Sequence, residues 1–343
     1  MKRPASFADI IGEEQLIARL KARTGEGTVP HALLFVGEEG SGKKTLATLY
    51  AKLLLCEHPG DDPCLTCASC RQIAQGQHPD VYWIAPESGK GGALKPIPVA
   101  LIRSGLIDSI QIKPYKGPYK IYIVDRAEKL TIEAQNALLK TLEEPPAYAV
   151  IMLLATGEEN LLETVRSRCV TMRMERVETD WVQQYLQEQC KITDYRARPA
   201  ARFAQGNVGR AEQLAASDTF AGCCDEVLRY FERAEHTGYD SISARAQEIA
   251  ADRRVCELYL ELIQILLRDV LTVKAFGTEG YDLFFADKKE TLSYLAEKLS
   301  YPAITQIQRQ VFISRERIEA NVAVDLVVEG LLSLIKETMK WQK

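Results

Sequence analysis

The fold is decided by the stretch Gly37-Glu38-Glu39-Gly40-Ser41-Gly42-Lys43-Lys44-Thr45, which nearly matches the phosphate-binding P-loop pattern G-x-x-x-x-G-K-[ST]. In that pattern the glycines let backbone N–H groups surround the phosphates, the lysine contacts the β and γ oxygens, and the final hydroxyl binds Mg²⁺. Gly37, Gly42 and Lys43 fit, but Lys44 stands where the hydroxyl belongs. The stretch therefore predicts a loop that can hold phosphate but lacks a magnesium ligand.

The residues on either side favour a true P-loop. Residues 31–36 form a short, mostly apolar run typical of a buried strand, and residues 45–55 carry leucines at helical spacing, so the loop joins a strand to a helix as the motif requires. A frame shifted by one residue to use Thr45 fails, because Glu38 and Lys43 would then replace glycines. A glycine-rich turn with a chance lysine is the alternative.

Composition limits the possible classes of protein. A chain of 343 residues predicts two or three domains, and 46% hydrophobic with 26% charged residues is typical of a globular protein. The net charge of −4 indicates no global basic field, so any DNA contact must be local or shared with partners. Residues 1–9 contain no apolar run long enough for a secretory signal, and charges interrupt the longest apolar segments. We expect a cytoplasmic protein with reduced cysteines and no membrane association.

Four of the nine cysteines cluster directly after the P-loop helix, as Cys56-x7-Cys64-x2-Cys67-x2-Cys70. Four thiolates on tight turns of a cytosolic chain match the closed tetrahedral shell of structural zinc, whose role would be in folding. Iron–sulfur ligation is the nearest alternative, but the Cys-Pro that follows in a ferredoxin run is missing. Unliganded thiols are the third possibility.

A second nucleotide motif follows at residues 120–125, a predicted buried strand that ends in Asp125. In P-loop ATPases an aspartate at this strand end helps hold the metal, and a glutamate often follows it to polarise the attacking water. Asp125 fits, but the next residue is Arg126, which cannot accept a proton. An ordinary strand that ends at an acidic turn residue is the alternative.

Strands and helices then alternate. Residues 134–146 predict an amphipathic helix stopped by two prolines, residues 150–154 a buried strand closed by Thr156, and residues 160–166 a short helix. The alternation predicts a doubly wound parallel sheet that brings the P-loop, Asp125 and Thr156 to one carboxyl edge.

Three features together resemble the clamp-loader branch of the AAA+ ATPases: the run Asn136–Pro146, the triplet Ser167-Arg168-Cys169 and the four-cysteine insertion. The resemblance is strong over residues 5 to about 175 and weaker beyond. It implies an α/β AAA+ P-loop core at residues 1–175 with a zinc module at 56–70. A small helical lid at 176–213 and an all-α collar for oligomerisation at 214–343 would follow.

The resemblance also implies a function and partners. Clamp loaders of this branch are heteropentamers of gamma/tau, delta and related subunits of DNA polymerase III, and they place a sliding clamp on primer–template DNA. Lys44 and Arg126 align the chain with the subunit type whose own nucleotide site has degenerated, so no ATPase activity of its own is expected. Arg168 is then implied as an arginine finger that acts in trans on a neighbour's ATP, worth ~10³–10⁵ in rate. A basic residue near a helix C-terminus is the alternative explanation.

The resemblance extends the candidate nucleotide site to Thr156, as a polar sensor, and leaves ATP or ADP binding open. Gly209 stands where motor subunits carry a lid arginine. The full candidate set is Gly37, Gly40, Gly42, Lys43, Lys44, Thr45, Asp125 and Thr156.

Two functions of different class remain. One is a non-hydrolysing assembly component that supplies Arg168, and the other is an active motor ATPase in which Thr45 or Glu128 replaces the missing groups. Lys44 and Arg126 favour the first. A third, the zinc module as an independent nucleic-acid binder, is disfavoured by its acidic neighbours Glu57, Asp61 and Asp62, which would repel phosphate.

Overall fold

The computed structural model describes residues 6–58, 60–89 and 94–340. Residues 1–5, on which the expected absence of a secretory signal partly rests, lie outside the described residues. Two compact units divide the chain: one comprises residues up to 191 together with 204–212, and the other comprises 192–203 together with 213–343. The three-part division with a separate lid at 176–213 stays a prediction.

The first unit contains a five-stranded parallel sheet in the order β2-β3-β4-β1-β5. The strands are β1 (Ala32–Val36), β2 (Val81–Ile84), β3 (Lys120–Asp125), β4 (Ala149–Ala155) and β5 (Val170–Arg173). The central strands β3 and β4 are buried along their whole length, as expected when helices cover both faces of a parallel sheet. The predicted α/β core with a parallel sheet is confirmed.

Helices cover the two faces of this sheet. They are α1 (Glu14–Gly25), α2 (Lys43–Leu55), α3 (Ala68–Ala74), α4 (Val99–Ile102), α5 (Asp108–Ile110), α6 (Ile132–Glu143) and α7 (Glu163–Arg166), and α8 (Thr179–Glu188) follows β5 in the chain. Apolar side chains form one core against α1 and α2 and a second core against α4 to α6. As predicted, α6 ends just before Pro145 and Pro146, because a residue that precedes proline is driven out of the helical region.

Strand register brings the functional loops to one edge of the sheet. Val36 at the end of β1 pairs with Ala155, and Asp125 at the end of β3 pairs with Leu154. The segments that follow these three parallel strands therefore emerge side by side, at the carboxyl edge.

The second unit is helical. Its long helices are α11 (Asp218–Arg233), α12 (Tyr239–Ala250), α13 (Arg253–Phe276), α14 (Lys289–Lys298), α15 (Tyr301–Glu319) and α16 (Val324–Lys340). The short helices α9 (Asp194–Ala204) and α10 (Val208–Ala215) connect residues assigned to both units. Within the described ranges no helix combines the length and apolarity needed to cross a bilayer.

Candidate functional site

The P-loop joins β1 to α2 through glycines with positive φ. Gly40 has φ +88° and Gly42, which precedes the first residue of α2, has φ +94°. Side chains with a Cβ rarely adopt these angles, so the glycines are needed for the turn itself. The backbone has the shape that the sequence predicts, and the Gly37 N–H donates to Ala155 O over 3.2 Å, which ties the loop to the end of β4.

Lys43 folds back onto its own loop. Its ammonium donates to the carbonyl oxygens of Gly37 and Glu38 over 2.6 and 2.7 Å. Burial lowers the pKa of Lys43. The ammonium is thus satisfied by the loop, and a phosphate would have to compete with these two carbonyls for it.

Lys44 forms an ion pair with Asp125, with 2.8 Å between Nζ and Oδ2. The Asp125 side chain is 10% exposed and that of Lys44 is 64% exposed, so the ammonium covers a nearly buried carboxylate. In a working P-loop enzyme a magnesium ion lies between the loop hydroxyl and the aspartate at this strand end. Here a side-chain cation neutralises that aspartate from the very position that should supply the hydroxyl.

Arg126 and Glu128 at this edge are also paired within the chain. Arg126, with φ +53°, forms an ion pair with Glu39, and Glu128 accepts hydrogen bonds from the hydroxyl and the N–H of Thr156 over 3.0 and 3.3 Å. Thr45 lines a cleft beside the loop. The structure therefore brings Asp125 and Thr156 to the P-loop, as predicted, and gives Glu128 a partner other than water.

The segment from Asn207 to Gly209 contacts the P-loop directly. It includes the position at which the motor subunits carry a lid arginine. The Gly209 N–H donates to Gly40 O over 3.0 Å, and the Asn207 amide donates to Glu39 O over 2.7 Å. A Cβ at position 209 would lie 2.5 Å from Gly40 O, so no side chain fits there without movement. The close approach of Gly40 O thus explains why position 209 is a glycine. Sequence reasoning missed the contact that Asn207 makes with the loop.

The cleft beside the P-loop has a volume of about 120 Å³ and acidic walls. Asp9, Glu13, Glu175 and Glu212 line it together with Gly40 to Gly42. Burial raises the pKa of Glu13 to about 7. Carboxylates on the walls of a small cleft oppose the entry of a polyanion such as ATP.

Arg168 lies on the surface just after α7. Its guanidinium donates to Thr164 O over 2.8 Å, and to Glu143 Oε1 at the end of α6 over 2.5 Å. The side chain of Arg168 is 34% exposed and that of Glu143 is 48% exposed. Sequence reasoning identified the arginine but not this partner, which lies 25 residues away in the chain.

The cysteine cluster has the geometry of a metal site. The ligand atoms of Cys56, His58, Cys64 and Cys67 all lie within 4.8 Å of one another. Backbone N–H groups point at the sulfurs: Cys64 N donates to Cys56 Sγ and Cys67 N to Cys64 Sγ, both over 3.3 Å. N–H donors from Cys67 and Thr66 lower the pKa of the Cys64 thiol to about 5, which favours the thiolate that binds metal.

Cys70 is a further donor at this cluster. Its N–H donates to Cys67 Sγ over 3.3 Å, and its thiol is buried, but among the described residues it is His58 and not the predicted Cys70 that shares the 4.8 Å group with the other three cysteines. The three clustered cysteines would thus need a fourth ligand to hold zinc, and His58 and Cys70 are the two candidates for it. Sequence reasoning missed His58, although its position two residues after Cys56 was a visible signal. The soft sulfur donors with one imidazole fit zinc.

Comparison with known proteins gives one family. The family described as "DNA polymerase III, delta subunit" matches residues 12–178. The chain is 28% identical over 313 residues to DNA polymerase III subunit delta' of Bacillus subtilis (strain 168), which covers 90% of this chain and 91% of the relative.

Two further proteins are similar. DNA polymerase III subunit tau of Bacillus subtilis (strain 168) is 30% identical over 335 residues, or 97% of this chain and 53% of the relative, so the chain spans about half the length of that protein. A solved structure of a DNA polymerase III gamma subunit-related protein from Thermotoga maritima covers 95% of this chain and 99% of its own, at 18% identity and a TM-score of 0.39. Since that structural overlap is low, the assignment rests on the sequence relatives. The sequence relatives of this chain are thus subunits of DNA polymerase III, and residues 12–178 match the family described for its delta subunit.

Proposed function

We propose that this chain is the delta-prime-type subunit of a bacterial DNA polymerase III clamp loader. It takes part in loading the sliding clamp on primed DNA in the cytoplasm, without hydrolysing ATP itself. Its partners are gamma/tau and delta subunits in a heteropentamer, and through them the clamp and primer–template DNA. The single observation that carries this proposal is the Lys44–Asp125 ion pair of 2.8 Å at the place of the magnesium ion.

Three further features support a silent nucleotide site. Arg126 stands where a catalytic glutamate belongs, and its guanidinium pairs with the loop residue Glu39. Gly209 stands where motor subunits carry a lid arginine, and its backbone N–H donates to Gly40 O. The acidic cleft adds repulsion toward phosphates. Together these features disfavour turnover and allow at most weak nucleotide binding.

Arg168 acts on a neighbour in this proposal. A guanidinium is planar, always charged and able to bind phosphate oxygens in a bidentate manner, so it can stabilise charge that develops on a γ-phosphate. Its exposure on the first unit leaves it available to a partner. The chain would thereby complete a site whose phosphate-binding loop belongs to another subunit.

Zinc is the proposed structural ion of the module. Cys56, Cys64 and Cys67 would hold it, with Cys70 or His58 as the fourth ligand. When bound, the ion supplies no chemistry to a substrate, because a shell closed by four protein ligands has no open position. Its contribution is to fix the turns that follow α2.

The second candidate is an active motor subunit of the gamma/tau type. The 30% identity to tau over 97% of this chain favours it. In that case Thr45 or Glu128 would have to replace the missing groups, although Glu128 is bonded to Thr156.

One experiment separates the two candidates. The purified chain is titrated with ATP with and without magnesium, and phosphate release is measured in the same samples. We expect weak binding that magnesium does not tighten, and no turnover. Magnesium-dependent hydrolysis that disappears in Lys43→Ala would show that the chain is a motor subunit.

A further inference from the structure

The arginine proposed to act in trans is held by an acid of its own chain. Arg168 donates from one terminal nitrogen to Glu143 Oε1 over 2.5 Å, and from the other to Thr164 O over 2.8 Å and Ser167 Oγ over 3.4 Å. Both terminal nitrogens of the guanidinium therefore have partners within the chain before any neighbour is present.

The helix ends explain why this position suits a cation. Glu143 is the last residue of α6, and Thr164 lies in α7, which ends two residues before Arg168. Helix C-termini carry unpaired carbonyls with partial negative charge, which favour a guanidinium nearby. Because two prolines follow Glu144, the end of α6 is a fixed point and the carboxylate is presented from a rigid element.

Charge decides what can displace this partner. A carboxylate carries one negative charge, whereas the γ-phosphate of ATP carries more and offers several oxygens to a guanidinium. ADP has no γ-phosphate, so next to ADP the carboxylate remains the better partner. An exposed pair of this kind is worth little, and a stronger anion can therefore replace it.

Resting on the proposed function of Arg168, we infer that Glu143 is a positioning residue that competes with the neighbour's γ-phosphate. Glu143 holds Arg168 back while the neighbour is empty or contains ADP, and it yields the guanidinium when ATP is bound. The exchange makes insertion of the arginine depend on the nucleotide state of the other subunit.

The test uses Glu143→Gln in a reconstituted clamp loader, with steady-state ATPase measured over a range of ATP concentrations. Glutamine keeps the shape and an acceptor oxygen but removes the competing charge. We expect the KM for ATP to fall about two- to fivefold, the range expected for an exposed ion pair, and inhibition by ADP, which offers no γ-phosphate to Arg168, to stay unchanged. Thermal unfolding of the variant should match that of the natural chain.

Glu144→Gln is the matched control, since it removes the same charge from the adjacent exposed residue, for which the described part of the chain shows no ion pair. It should leave KM unchanged. In the Arg168→Ala background, Glu143→Gln should have no further effect on KM, because the group it competes for is gone.

The outcomes separate the two ideas. If Arg168→Ala lowers turnover but Glu143→Gln leaves KM unchanged or raises it, the inference is wrong and the proposed function stands. If Arg168→Ala has no effect on turnover, the proposed function itself fails.

Discussion

The P-loop and the segment around Arg168 each contain an ion pair between distant residues, but the two pairs differ in burial. In each, a basic side chain pairs with an acid from another element: Lys44 with Asp125, and Arg168 with Glu143. Asp125 is nearly buried, whereas both members of the other pair are about one third to one half exposed. Breaking the first pair would leave a buried carboxylate without a partner, which is costly, while water can replace either partner in the second.

Burial, more than charge, therefore distinguishes the Lys44–Asp125 pair from the Arg168–Glu143 pair. Around the P-loop, carbonyl oxygens of the loop accept hydrogen bonds from Lys43, Asn207 and Gly209. The chain therefore supplies these hydrogen-bond partners itself. Around Arg168 the partners are a single carboxylate and surface oxygens. The hydrogen bonds around the P-loop thereby stabilise the conformation of the loop. The guanidinium of Arg168, in contrast, can exchange its partners for others.

The largest expected effect comes from Arg168→Ala in the reconstituted loader. Because a guanidinium that stabilises γ-phosphate charge in trans is worth roughly 10³ or more, ATPase at the site that receives it should fall by about that factor. Clamp-stimulated phosphate release measures the change. Arg173→Ala removes another exposed, ion-paired arginine of the same unit and should leave turnover intact. A loss of assembly in Arg168→Ala would mean that the arginine supports the interface instead.

A second prediction concerns the proposed zinc site, whose cysteines follow α2, the helix that begins at the P-loop. Purified protein should contain about one zinc ion per chain, as expected for a closed structural site. Cys64→Ser should lose this ion, and hydrogen exchange should rise across residues 56–74 while the segment around Arg168 stays protected. Metal analysis of the protein after a chelator wash gives the readout.

The matched pair His58→Ala and Cys70→Ser decides the fourth ligand. Whichever variant loses the ion identifies the ligand, and retention by both would show that either donor can close the shell. Absence of tightly bound metal in the natural chain would contradict the ligand set altogether.

A hydroxyl at position 44 tests the role of Lys44 in the P-loop. Lys44→Thr removes the ammonium from Asp125 and returns a magnesium ligand, so magnesium should tighten ATP binding about tenfold, or ~1.4 kcal/mol. Calorimetric titration with and without magnesium measures this. Lys95→Thr removes an exposed lysine that pairs with Glu87 and should change nothing. If magnesium has no effect on Lys44→Thr, the acidic cleft or the Gly209 contact closes the site independently of Lys44.

The smallest effect belongs to Glu13 in the wall of the cleft. Burial raises the pKa of Glu13 from 4.5 to about 7, so the folded chain binds an extra proton between these values and loses stability as the pH rises through that window. Glu13→Gln removes the buried charge, and we expect it to stabilise the protein by about 1 kcal/mol at pH 8, after allowance for solvent screening. The gain should vanish near pH 4.5. Unfolding curves at both pH values check it, and an equal gain at both would exclude titration of Glu13 as the cause.

The sequence predicted the central strands, and it failed at the edges of the sheet. β1, β3 and β4 are continuous apolar runs because both of their faces are covered. The edge strands β2 and β5 were not predicted, since they are only four residues long and partly exposed and so lack such a run. The P-loop and the cysteine cluster were visible because each is local in sequence.

By itself the sequence determined the chemistry that is present: the P-loop with its missing hydroxyl, the acid at the end of β3, the clustered thiols and the exposed arginine. Only the tertiary structure decided which charges meet. Lys44 and Asp125 are 81 residues apart, and 25 residues separate Glu143 from Arg168. Their pairing depends on parallel strand order and helix packing, which bring distant segments together and which no local pattern encodes. For that reason the loss of a magnesium ligand could be predicted from one residue, while its replacement by an internal cation could not.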